Sequence, residues 1–89
     1  MQIPTGWKKI EAYSRNDLKF QKRVKIRQYY DEYNITIWPN MDRTEYTVSQ
    51  TGNITSAVTK AFKTKQAAIN YAINIMKYIN FGLAKGVLR

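Results

Sequence analysis

The chain contains no cysteine and no histidine. Disulfides, thiolate or imidazole metal sites, and nucleophiles of the Ser-His or Cys-His kind are therefore excluded. Carboxylates are scarce as well: Glu11, Asp17, Asp31, Glu32, Asp42 and Glu45 are the six acids in 89 residues, and they are scattered, so no acid–base pair stands out. Asp31 and Glu32 are adjacent, but neighbouring positions tend to point apart and no further ligand cluster accompanies them. An enzyme is the least expected class, and no cofactor or metal is expected. No apolar run approaches the roughly 18 residues of a membrane span, and none at the amino terminus resembles a signal peptide. A cytoplasmic protein without a membrane partner is the expectation. The Asn-Ile-Thr triplets at Asn34 and Asn53 are accordingly read as strand and turn sequence rather than glycosylation acceptors.

Positive charge is what the chain has in excess. Fifteen Lys and Arg give a formal charge of +9, and its distribution is uneven. Residues 1–30 hold eight cations (Lys8, Lys9, Arg15, Lys19, Lys22, Arg23, Lys25 and Arg27) against Glu11 and Asp17. So local a surplus suggests an anionic partner, such as nucleic acid, a nucleotide or an acidic protein surface. Plain solubility is the bland alternative. The length suits one small domain with a single modest core.

Hydrophobic periodicity organises the chain. In the stretch from Leu18 to Trp38, Leu18, Phe20, Val24, Ile26 and Tyr30 alternate with Lys19, Gln21, Arg23, Lys25 and Arg27, a period of two with one greasy and one positive face. Tyr33, Ile35 and Ile37 then alternate with Asn34, Thr36 and Trp38. A tight turn at Asp31-Glu32 would set Tyr30 opposite Tyr33 and Ile26 opposite Ile37, bringing both apolar sets to one side. Pro39 to Arg43 ends that strand. A third strand carries Tyr46 and Val48, and a turn follows at Thr51-Gly52-Asn53. A fourth runs from Ile54 to Phe62 with Ile54, Val58 and Phe62 on one face. Met1 to Gly6 reads as a leader and Ser14 to Asp17 as a turn, while Trp7 to Tyr13 suits either a strand or a short helical turn.

The period changes at Thr64, a candidate N-cap, and a helix is expected over 64–81 with Gly82 just beyond its end. Its apolar residues cover well over half the wheel, more than one sheet face needs. The excess must meet the amino-terminal segment, the tail at 82–89, or another copy, so a homo-oligomer formed through the helix is expected. The fold class is α+β: an antiparallel meander of about four strands within residues 7–62, with one C-terminal helix packed on one face, in a single domain spanning 1–89.

Closing one sheet face with the helix leaves the other for function. Phosphates want spaced cations and unpaired bases want flat aromatic surfaces. The candidate nucleic-acid-binding residues are Lys19, Lys22, Arg23, Lys25, Arg27, Tyr29 and Trp38. The same cations also suit a solvated face or an edge that resists aggregation, and Trp38 suits burial as well as stacking. The expected function is non-enzymatic nucleic-acid binding, with single and double strands left open. The alternative is a small phage-type inhibitor or antidefence protein that binds an acidic protein or an anionic nucleotide.

Phe62, Thr64, Lys65, Ala67, Ala68 and Ala72, a strand ending in Phe followed by Thr-Lys and an Ala-rich helix, carry a resemblance. Over residues 33–79 the chain resembles the three-strand-plus-helix arm-binding domains of tyrosine integrases and related small phage and bacterial domains. That resemblance implies DNA binding through the sheet. In those domains basic sheet residues enter the major groove; here the matching strands carry Thr and Ser, with only Arg43 and Lys60 basic. Contacts are therefore expected from the additional basic strand.

Overall fold

The structure is a computed structural model and describes residues 3–12, 17–26, 28–52 and 58–84. Five strands, β1 (Lys8–Ile10), β2 (Leu18–Ile26), β3 (Tyr29–Pro39), β4 (Tyr46–Gly52) and β5 (Val58–Phe62), precede one helix, α1 (Lys65–Ala84). The strands form one antiparallel sheet in sequence order, and α1 packs across β3, β4 and β5. The class is α+β, with five strands: Lys8–Ile10, just after buried Trp7, supplies the extra one by pairing with Gln21, Phe20 and Lys19 of β2. The expectations for residues 13–16, for 53–57, for Arg27 and for the tail at 85–89 lie outside the described residues.

The β2–β3 hairpin turns earlier than Asp31-Glu32. Ile26 pairs with Tyr29 and Leu18 with Ile37, so the connection is residues 27–28 and both acids lie within β3. Ile37 thus faces Leu18 rather than Ile26, a displacement of eight residues. Because eight is even, the apolar sets still share a face. The observed register makes nine cross-strand pairs; a turn at 31–32 would leave the first half of β2 without β3 as partner. It also sets Arg23 opposite Glu32 and Phe20 opposite Ile35, pairs that favour the sheet.

The core lies between sheet and helix. Phe20, Tyr33, Ile35, Ile37 and Val48 from the sheet meet Ala68, Ala72, Met76 and Ile79 from α1, with Trp7 closing one end. Small Ala68 and Ala72 and the larger Met76 and Ile79 together fill the space between α1 and the sheet. Each fully buried Ile, Phe or Val contributes about 1.5–3 kcal/mol relative to exposure. Phe62 adds a tilted contact with Tyr71, ring centroids 5.0 Å apart.

Local chemistry sets the ends. The Thr64 hydroxyl accepts from the Ala67 amide at 3.1 Å, as an N-cap does. The helix does not stop before Gly82 but continues to Ala84. Leu83 packs on the core, which offsets the roughly 1 kcal/mol that an interior glycine costs. Between β3 and β4, Asn40 and Glu45 are joined through backbone and side chain, Asp42 accepts from both the amide and the hydroxyl of Thr44, and Arg43 adopts a left-handed φ of 59°. The Thr44 bonds hold the Asp42 carboxyl below its ordinary value. Part of the helix's wide apolar arc meets the amino-terminal segment, as Ile3 and Trp7 show; Tyr78 and Phe81 stay exposed at 71 % and 53 %. Among the described residues no helix is long and apolar enough to cross a membrane.

Candidate functional site

The sheet face turned away from α1 is built in rows. Lys8, Gln21, Asn34 and Thr51 lie side by side across β1 to β4; Ile10, Lys19, Thr36, Ser49 and Thr59 form the next row, and Trp38, Thr47 and Ala61 the last. Toward the other end Arg23 stands beside Glu32 and Lys25 beside Tyr30. Alternation of side chains along a strand produces this separation: odd positions of β2 and even positions of β3 point to one side. The long and charged side chains lie on β1, β2 and the near end of β3. The floor over β4 and β5 is short Thr, Ser and Ala.

A hydrogen-bonded group ties β2 to β3 at the centre. Glu32 accepts from Arg23 at 3.1 and 3.3 Å through its Oε2 and from the Gln21 amide at 3.0 Å through Oε1. The same Gln21 amide nitrogen donates to Asn34 Oδ1 at 3.0 Å. The Arg23 guanidinium also lies 5.9 Å from the Tyr30 ring centroid, within cation–π range. Arg23–Glu32 is the one salt bridge among the described residues; both side chains are well exposed, so the pair contributes at most about 1 kcal/mol. Its larger effect is positional, holding the guanidinium near Tyr30. Lys8, Lys19 and Lys25 form no ion pair among the described residues.

Four of the expected residues, Lys19, Arg23, Lys25 and Trp38, come together on this face. Lys22 does not. It lies opposite Tyr33 on the helix side, where its ammonium donates to Asn80 Oδ1 at 2.7 Å and to the Thr5 carbonyl at 3.4 Å. Burial there lowers its pKa below the ordinary 10.5. Gly6, at φ 85°, leaves room for it: a Cβ would fall 2.6 Å from the Lys22 nitrogen. Asn80 also accepts from the Trp7 indole at 3.1 Å and donates to Thr5, so Lys22 belongs to the seam that fastens the amino-terminal segment to α1. Tyr29 pairs with Ile26 at the near end of β3, and the expectation for its side chain lies outside what the structure describes. Tyr30 stands opposite Lys25 on the open face, 54 % exposed. Glu45 sits outside the strands, in the β3–β4 connection.

Lys8, Tyr30 and Glu32 are the residues of this face that sequence reasoning passed over. Lys8 was detectable once WKKI is read as a strand with Trp7 inward. The other two depended on where the hairpin turns. Comparison of the chain with protein-family models, curated proteins and solved structures finds no match.

Proposed function

We propose that this chain is a non-enzymatic nucleic-acid-binding protein that contacts phosphates through the open face of its sheet and stacks bases on the aromatics there. The observation that carries this reading is the company on that face: Lys8, Lys19, Arg23 and Lys25 with one carboxylate, Glu32, among the described paired strand positions, beside Tyr30 and half-buried Trp38. The helix packs on the other side and leaves the face open. The sequence resemblance to integrase arm-binding modules, if it holds, would also imply DNA binding through the sheet. The two basic residues expected on the matching strands do not join the face: Arg43 is in a loop and Lys60 lies over the rings of Phe62 and Tyr71 on the helix side. On this reading the cations come from β1 and β2. The helix surface bearing Tyr78 and Phe81 is where a homo-oligomer would form, leaving the basic face accessible.

Fluorescence anisotropy with labelled oligonucleotides at two salt concentrations tests the proposal. Contacts to about three phosphates give a logarithmic salt slope of about −2 to −3, so affinity should fall by a factor on the order of 20–60 between about 50 and 200 mM salt. Lys19→Glu combined with Lys25→Glu should remove binding with little change in Tm. Unchanged affinity in that variant, or no binding at low salt, refutes the reading; a stoichiometric complex with an acidic protein would then take its place.

A further inference from the structure

Resting on that reading, we infer that the ligand is a single strand laid lengthwise along β3, with its phosphates over β2 and its bases toward β4. Three observations carry this. Tyr30 and Trp38 stand on the same strand and the same face, eight residues apart, which at about 3.3 Å per residue separates them by about 26 Å. That span suits roughly four or five extended nucleotides, the short end of the range for single-strand-binding folds. Two aromatic surfaces at the ends of one track offer stacking to unpaired bases. A duplex, whose bases are already stacked on one another, gains nothing from them.

The flanks of the track differ. On one side β2 presents Lys25, Arg23, Gln21 and Lys19; on the other β4 presents uncharged Thr51, Ser49 and Thr47. Neighbouring strands are about 4.8 Å apart, close to the offset between a nucleotide's phosphate and its base plane. Glu32, two residues from Tyr30 along the track, repels a phosphate passing directly above it. That directs the backbone to the β2 side, where Lys8 lies beyond Gln21, and leaves Glu32 and Asn34 beneath the bases.

The floor also argues against a groove. Thr36, Ser49, Thr59 and Ala61 are short side chains, too short to reach base edges in a duplex, while a flat floor accepts splayed bases.

Labelled thymidine oligomers of about four and about eight nucleotides, and a duplex of the longer length, should be titrated at low salt into the wild type, Trp38→Ala and Tyr30→Ala. The single strand should bind at least tenfold tighter than the duplex and quench tryptophan fluorescence, and either substitution should weaken single-strand binding about fivefold or more. Tyr30 is half exposed, so Tyr30→Ala keeps the test available where Trp38→Ala unfolds. Duplex binding as tight as single-strand binding, or undiminished single-strand affinity in Tyr30→Ala, overturns the lengthwise single strand while the broader reading stands. Absence of binding to every oligonucleotide overturns both.

Discussion

Replacing Tyr33 with Phe should make this protein more stable. Tyr33 is fully buried at 0 % exposure, and its hydroxyl has no hydrogen-bond partner among the described residues. A buried hydroxyl left unpaired costs about 1–3 kcal/mol. The substitution removes that cost and leaves the ring contacts in place. Removing an oxygen opens a void on the order of 10 Å³, worth about 0.2 kcal/mol, so the net gain is about 1–2 kcal/mol. With about 4–8 °C per kcal/mol for a domain of this size, Tm should rise by roughly 4–16 °C. Urea unfolding should show a higher midpoint at unchanged slope.

The same substitution has a pH signature. Burial, and then the charge of nearby Asp31, holds the Tyr33 phenol above its ordinary 10.0. The folded state keeps this proton after the unfolded chain has lost it. Wild-type stability therefore falls as pH rises through about 10 and up to the folded pKa. Tyr33→Phe lacks that loss, so its advantage should widen in alkali. A variant less stable than wild type by about 1 kcal/mol or more would show that the hydroxyl has a partner after all and refute the reasoning.

Three further expectations follow from other contacts. Asn80→Ala removes the acceptor of both the Trp7 indole and the Lys22 ammonium and should cost about 2–4 kcal/mol, read by urea unfolding and by faster proteolysis before Lys8; Asn80→Asp, which keeps the acceptor, should retain most of that stability. Thr64→Ala deletes the N-cap of α1 and should cost about 1 kcal/mol, measured from the thermal midpoint by circular dichroism. Glu32→Gln removes the carboxylate of the open face and releases Arg23; oligonucleotide affinity should rise about fivefold, equivalent to about 1 kcal/mol for one unit charge a few ångströms from a phosphate, with stability changed by less than about 1 kcal/mol.

The period-two and period-3.6 patterns carried the class of fold and the partition of the sheet into a greasy and a polar face. Leu18, Phe20, Ile35, Ile37 and Val48 lie where alternation puts them, and Thr64 caps the helix its hydroxyl announces. Alternation is a parity rule, however, and parity cannot tell one even displacement from another. Turns at 27–28 and at 31–32 both bring the apolar sets together; the choice was made by the number of cross-strand pairs and by the partnership of Arg23 with Glu32, which exist only once two strands lie side by side. That one choice brought Tyr30 to the open face and buried Asp31, which is 5 % exposed.

Lys22 teaches a related point. As a lysine in a basic strand it reads as a phosphate contact, yet its even position turns it toward α1, where only the folded arrangement of Thr5, Trp7 and Asn80 supplies its partners. Gly82 lies within the helix for a similar reason: its propensity is local, while the burial of Leu83 that outweighs it is tertiary. The sequence by itself thus determined which residues are apolar partners and that the chain carries a surplus of positive charge. The tertiary structure alone decided which aromatics and which cations share that face, because strand register and helix docking are set by contacts between residues far apart in the chain.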